Sequence, residues 1–327
     1  MEIKRLYWIG SLKNVKSDGS PCKTQEDRDF REKELINEAD IIVTTTTTAC
    51  LGILKDVHFW ALIIDEAATN TVLETIRLMM KSVQVLVMIG DQKQLPPSIF
   101  SEYVKTNYPK VLVSIMESFS NEGRLYANQK GGPLEGVFSS FMLDTQYRMP
   151  PYMSDYISNL CYNGLLKCGS ATTGRPLRSG YDRPNPNCPI TIELITGPGT
   201  KDGKSGARNP PEADRLLDVC MGFIESQAND RVPPREIVIA SPYKDQIRVL
   251  NGQKTIREGR LENGETKERL KAISVMTVDK LQGREFLLVL LSIGKMGWAS
   301  RSFLDSLQRF CVMMSRSMSE MIIFFLC

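Results

Sequence analysis

The sequence predicts an α/β protein of two domains, each built on a parallel sheet, and three observations carry that expectation. Short apolar runs bounded by polar turns recur along the 327 residues: "IIVTT" (41–45), "ALIID" (61–65), "QVLVMIGD" (84–91), "ITIELI" (190–195), "EIVIASP" (236–242), "AISVMTVD" (272–279), "FLLVLLSIG" (286–294) and "EMIIFFL" (320–326). Most are continuous rather than alternating, as strands covered on both faces are. Segments of helical spacing, such as "PEADRLLDVCMGFIESQ" and "YKDQIRVLNGQ", lie between them.

Taken in order, the first domain is expected over residues 1–142, with strands at 41–45, 61–65 and 84–91. The Gly-rich, aperiodic stretch "SNEGRLYANQKGGPLEGVFSSFM" (120–142) reads as the seam. The second domain, 143–327, carries the remaining five candidate strands and an aperiodic loop at 167–189. An apolar content of 42% over this length is enough for two separate cores. No internal repeat or long low-complexity tract interrupts the pattern.

Composition excludes several classes. The 41 Lys+Arg against 38 Asp+Glu leave a net charge of +3, too balanced for nucleic-acid binding by bulk charge, although a local basic groove is compatible with it. Eight cysteines are scattered without a C-x-x-C pair and His58 is the only histidine, so no metal-ligand spacing exists. Scattered thiols predict a reducing, intracellular compartment, nucleus or cytoplasm. No apolar run reaches the ~18 residues of a membrane span, and "MEIKRLYWIG" lacks the apolar stretch of a signal peptide.

Chemistry concentrates where apolar runs stop. Asp65 and Glu66 end "ALIID" at the carboxyl edge where open α/β sheets bind ligands. One carboxylate of such a pair can hold Mg²⁺ through water while its neighbour polarises an attacking water. A solvated turn is the plain alternative for that pair alone. Twenty-five residues on, "VLVMIGDQKQLPPSI" repeats the strand-to-turn design, with the Gln94 amide placed to sense a phosphate or water.

Six segments occur in a fixed order: "DEAA", "GDQKQLPP", "LDTQYRMPPYMSDYISNLCYNGLL", "SPYKDQ", "VDKLQGRE" and "RFCVMMSRS". Together, from about Ile36 to Phe325, they resemble motifs II to VI of superfamily 1 helicases of the up-frameshift and senataxin type, which move 5′ to 3′ on RNA or DNA. The resemblance implies two RecA-like P-loop NTPase domains, the first incomplete at its N-terminus, with ATP and Mg²⁺ as cofactors and single-stranded RNA or DNA as partner. It implies that Asp65 is the Mg²⁺ ligand, through water, and Glu66 the water-activating base, and that Gln94 couples γ-phosphate state to the second domain. Arg148 and Arg316 would be the two arginines that reach the γ-phosphate, a role suited to a group that is always charged and bonds two oxygens at once. For Arg148, pairing with a carboxylate at a helix start is the plain alternative. Gly283 and Glu285 would meet the nucleotide, the glycine permitting close backbone approach.

Thr44, Thr45 and Thr277 would contact nucleic-acid phosphates, positioning the strand without reading sequence. For "VTTTTTAC" a strand-forming run explains the threonines equally well. In "SGARNPPEA" (205–213) Asn209, Glu212 and Ala213 fit a family turn, while Gly206 stands where a serine is usual; helix capping is the preferred reading.

Departures from the family pattern are equally specific. No Gly-rich loop with Lys and Ser or Thr precedes Asp65, and at Gly203-Lys204-Ser205 the required earlier glycine falls on Pro198. "MEIKRLYWIGS" resembles the family strand between motifs Ia and Ib, so two strands and the phosphate loop are expected to be missing, exposing an apolar strand edge. The segment 13–40 is too short for the accessory insertion of some relatives. Thr69 replaces a usual Gln, Phe286 and Leu287 follow Glu285 where polar residues are common, and "SRSMSE" lacks a usual Ala and basic residue. The expectation is an ATP-dependent helicase present as a fragment, inactive by itself. The alternatives are a non-hydrolysing nucleic-acid-binding module, or half of a split enzyme whose first strands another protein supplies.

Overall fold

The computed structural model describes residue 17 and residues 20–119, 140–196, 208–228, 231–294 and 306–326. The segment "MEIKRLYWIGS", most of the expected seam and Gly203-Lys204-Ser205 lie outside the described residues. The chain forms two compact units: Met1–Ile89 with Ser98–Ile115, and Gly90–Pro97 with Met116–Cys327.

In the first unit Thr24 and Asp27 form a reciprocal cap that starts helix α1 (Gln25–Glu38). The expected strand at 41–45 does not form beyond a lone bridge at Ile41. Thr45 instead caps the short helix α2 (Thr46–Ala49), its hydroxyl accepting the amide of Thr48 at 3.2 Å. Local hydroxyl-to-backbone bonding therefore wins over β propensity in this threonine run. Strand β1 (Ala61–Ile64), helix α3 (Val72–Met79) and strand β2 (Val85–Met88) follow, and then helix α4 (Glu102–Asn107).

β1 and β2 pair in parallel, with Ala61 opposite Val85 and Ile64 opposite Met88. Leu35, Ile36, Leu54, Ile64, Ala67, Ala68 and Leu78 are buried. Lys81 is buried as well, its ammonium donating to the carbonyls of Leu54 (2.6 Å) and Lys55 (2.8 Å) and so closing the turn before β1. Ile63, Val85 and Val87 are exposed, although parallel strands are ordinarily covered on both faces.

The second unit begins with β3 (Thr145–Gln146), helix α5 (Pro151–Cys161) and β4 (Lys167–Cys168). Strand β5 (Ile190–Ile195), helix α6 (Pro210–Glu225), strand β6 (Ile237–Ser241) and helices α7 (Lys244–Arg260) and α8 (Gly264–Ala272) come next. Strands β7 (Ser274–Thr277) and β8 (Phe286–Ser292), helix α9 (Leu307–Met314) and strand β9 (Ser317–Leu326) complete it. The five expected strands make one parallel sheet in the order β5-β9-β8-β6-β7.

Each central strand splits its residues between two cores. Val238, Ala240, Val289, Leu291 and Met321 pack with Met153 and Ile157 of α5 and Val312 of α9. Ile237, Ile239, Leu288, Leu290 and Ile322 pack with Leu216 and Phe223 of α6, Leu250 of α7 and Leu270 of α8. This double burial is why the strands read as unbroken apolar runs, each buried Leu or Ile contributing about 2 kcal/mol.

One loop crossing admits only glycine. A Cβ on Gly222 of α6 would stand 2.3 Å from the carbonyl oxygen of Gly180, and one on Gly180, whose φ is +116°, would stand 2.6 Å from the Gly222 oxygen. Both contacts are backbone, which cannot swing aside. Gly222→Ala is therefore expected to destabilise the second unit by about 2 kcal/mol in a urea titration; an unchanged midpoint would contradict this packing.

Candidate functional site

In the first unit β1 delivers a buried Ile64 and then an exposed Asp65. Glu66 adopts a left-handed conformation (φ 51°, ψ 37°), which costs a non-glycine residue about 1 kcal/mol and persists only where surroundings over-determine it. They do. The Glu66 amide donates to Asp65 Oδ1 at 3.0 Å, and its carbonyl accepts the Thr69 hydroxyl (2.8 Å) and amide (2.9 Å). The Ala67 amide donates to the Ile89 carbonyl at 2.8 Å, tying the turn to the end of β2. Thr69, a departure from the family pattern, thus locks the turn that aims the carboxylate pair.

The second unit gathers the residues expected to sense nucleotide. In the turn 90–97, Asp91 Oδ1 accepts the Lys93 amide (2.9 Å) and Oδ2 accepts Gln94 Nε2 (2.8 Å), while Leu95 packs against the core to which α5 and α9 contribute. Gln94 Oε1 accepts a bond from Arg316 Nη2 at 2.8 Å. Arg316 sits between α9 and β9, only 1% exposed, and also donates to the Val312 carbonyl (3.0 Å) and the Ser315 hydroxyl (2.7 Å).

Arg148 lies between β3 and α5. The side chain of Gln146 holds that turn by accepting the amides of Arg148 (2.8 Å) and Met149 (2.7 Å). Arg175 clamps it from outside, donating to the carbonyls of Tyr147 (2.7 Å), Arg148 (2.5 Å) and Met318 (2.9 Å). The Arg148 guanidinium donates to Glu285 Oε2 at 2.9 Å and to the Ser315 carbonyl at 3.4 Å, and it keeps 30% of its side-chain surface exposed. Carboxylate pairing is thus the observed partner of Arg148, and that carboxylate is itself one of the expected nucleotide contacts.

Gly283 has φ +72°, a conformation a side chain rarely adopts, and it turns the chain toward Glu285. Gln94, Arg148, Glu285 and Arg316 therefore form one polar cluster. Thr277 ends β7 beside an open, shallow depression lined by Asp279, Lys280, Gln282 and Arg284. In the first unit Thr44 and Thr45 are exposed, Thr45 engaged with Thr48.

Asn209 caps α6, its Oδ1 accepting the Glu212 amide at 3.1 Å, as the capping reading expected. The motif reaches further than that reading. Glu212 is fully buried and accepts from Asn209 Nδ2 (2.9 Å), the Ser292 hydroxyl (2.5 Å) and the Gly294 amide (2.8 Å). Gln246 bridges the Asn209 backbone and Ser292. Burial pushes the Glu212 carboxyl up to about 7 in spite of these donors, which favour the ionised form.

Sequence reasoning missed Tyr162, Ser315 and Arg175, whose roles depend on chain crossings rather than on local pattern. Burial pushes the Cys220 and Cys311 thiols up to about 12, which makes them inert. Among the described residues no group of three His, Cys, Asp or Glu side chains could hold a metal ion.

A five-stranded parallel sheet covered by helices on both faces, with two arginines and a glutamine clustered beside it, is the α/β architecture of the RecA-like helicase class. An AAA domain family matches residues 116–325 and a second AAA domain family matches 12–102, and the chain belongs to this family, among superfamily 1 helicases of the up-frameshift and senataxin type. It is 26% identical to "Regulator of nonsense transcripts 1 homolog" of Drosophila melanogaster over 87% of this chain and 22% of that protein. It is 27% identical to "ATP-dependent helicase upf1" of Schizosaccharomyces pombe over 86% of this chain and 28% of that protein. The chain thus spans about a quarter of the length of these relatives. Among solved structures, "The structure of PRRSV helicase" is similar at 16% identity and a TM-score of 0.37, covering 80% of this chain and 34% of that one.

Proposed function

We propose that these residues form the motor part of an ATP-dependent helicase or translocase acting 5′ to 3′ on single-stranded RNA or DNA. The observation that carries this reading is the cluster in which Gln94, Arg316, Arg148 and Glu285 meet at the ends of the second unit's strands. Arg148 fits a phosphate ligand: its guanidinium is held by a half-exposed carboxylate at 2.9 Å, a contact that an anion can replace at small cost. Arg316 and Gln94 would report the γ-phosphate to the second unit, and Gly283 and Glu285 would hold the nucleotide.

Asp65 fits Mg²⁺ held through water, because this ion keeps much of its hydration and commonly takes one or two carboxylates with substrate phosphates. When bound, Mg²⁺ with ATP supplies charge neutralisation on the leaving phosphate. Glu66, held rigidly by its left-handed turn, would orient and deprotonate the attacking water. Thr44, Thr45 and Thr277 would contact the nucleic-acid backbone. Scattered free thiols support an intracellular setting, nucleus or cytoplasm.

The second reading is a unit completed by further strands, from the same or another polypeptide. It is favoured by the apolar face of β1 and β2, where Ile63 is 68% exposed in a sheet that has two parallel strands among the described residues, fewer than independent stability requires. The 327 residues carry no phosphate loop ahead of Asp65, so the chain alone is expected to show negligible ATPase activity, with or without single-stranded RNA. Steady-state phosphate release checks this, with Glu66→Gln as control. Turnover abolished by Glu66→Gln would refute the expectation and show an unrecognised phosphate site. Intact mass of the native polypeptide, against 36.8 kDa for these residues, separates a longer motor from a chain that binds without hydrolysis.

A further inference from the structure

We propose that Tyr162 is a positioning residue for the nucleotide-sensing cluster: through Asp91 it sets the orientation of the Gln94 amide presented to Arg316. This rests on the assignment of Gln94 and Arg316 to the nucleotide site. The Tyr162 hydroxyl donates to Asp91 Oδ2 at 2.5 Å, and the same oxygen accepts Gln94 Nε2 at 2.8 Å. With its nitrogen committed to a carboxylate, the Gln94 amide has one productive orientation, oxygen toward the Arg316 guanidinium. A flipped amide would set oxygen against carboxylate and NH₂ against guanidinium.

Tyr162 is suited to this work because its backbone is fixed. It closes α5, its amide donating to the Ser158 carbonyl at 2.9 Å, and the left-handed pair Asn163 (φ 54°) and Gly164 (φ 74°) returns the Gly164 amide to the same carbonyl at 2.9 Å. Burial and the neighbouring Asp91 carboxylate raise the phenol above its ordinary range, so it stays a donor. Its hydroxyl also lies 3.4 Å from Cys311 Sγ on α9, the helix that leads into Arg316. One rigid phenol thus touches both the Gln94 turn and the Arg316 helix.

The test is side-chain amide NMR of the full 327-residue chain without nucleotide, comparing the parent with Tyr162→Phe and with Cys311→Ala. The Gln94 resonance pair is assigned by its disappearance in Gln94→Ala. Tyr162→Phe keeps the ring, so its melting curve should stay near the parent's. Hydrogen exchange at Gln94 Nε2 should then accelerate about tenfold, the scale of one lost hydrogen bond. Cys311→Ala should leave it unchanged. An unaltered Gln94 signal in Tyr162→Phe would overturn the proposal, as would equal acceleration in Cys311→Ala, which would mark general loosening of the core. Because no nucleotide is present, these outcomes judge positioning alone. The nucleotide assignment is judged separately, by whether Mg²⁺ with ATPγS shifts the parent Gln94 signal.

Discussion

Arg316→Ala is expected to destabilise the second unit by on the order of 3 kcal/mol, whereas Arg148→Ala should change its stability by no more than about 1 kcal/mol. The two arginines share an expected function and differ in physical setting. Arg316 is 1% exposed, and its removal takes a donor from the buried Val312 carbonyl and Ser315 hydroxyl and from the partly buried Gln94 amide oxygen, and leaves a cavity where the guanidinium packed. Arg148 keeps 30% of its surface in solvent, and its partner Glu285 keeps 51%, so water replaces what the mutation removes. Urea titrations of both variants check this. If Arg148→Ala proved as destabilising as Arg316→Ala, its ion pair would be structural, and the view of Arg148 as an arginine ready to exchange its carboxylate for a phosphate would fail.

Glu212 should make the chain less stable as pH rises from about 4.5 to about 7, by up to about 3 kcal/mol in total. The sign follows from where the proton binds. In the folded state the carboxyl titrates at about 7, against 4.5 when exposed. Between these values the native state holds the proton more tightly than the unfolded state does. The contribution is fully present below about pH 4.5, declines as pH rises through 7, and is flat above. Glu212→Gln, which cannot ionise, should abolish this slope while keeping only part of the bonding to Ser292, Gly294 and Asn209, at a modest constant cost. Glu212→Ala removes the acceptor of three buried donors and should be the most damaging change at that position. Melting temperatures of the parent and Glu212→Gln from about pH 5 to about pH 9, a range that brackets the folded-state titration, decide it. Parallel curves would mean that the three donors hold the carboxyl at its ordinary value.

Much of the second unit was legible in the sequence because its central strands are buried on both faces, and double burial writes itself as unbroken apolar runs. "FLLVLLSIG" and "EIVIASP" became β8 and β6 for that reason. "IIVTT" was misleading. β-branched composition alone predicts a strand, but the Thr45 hydroxyl found the Thr48 amide three residues away and started a helical turn instead. The candidate site was legible in its residue types, since Gln94, Arg148, Glu285 and Arg316 stand in recognisable motifs. Its wiring was not: that Arg148 pairs with Glu285 across 137 residues of chain depends on how β3 and the turn after β7 are brought together.

By itself the sequence determined the parallel-sheet class, the order of the motifs and the candidate residues within them, because apolar periodicity and the chemistry of charged side chains are local properties. Only the tertiary structure decided which of those residues meet and which neighbours hold them. Tyr162 reaches Asp91 at a separation of 71 residues, and Arg316 reaches Gln94 at 222. Contacts of that range follow from the stacking of strands and helices into a sheet with two covered faces, and no spacing along the chain encodes them.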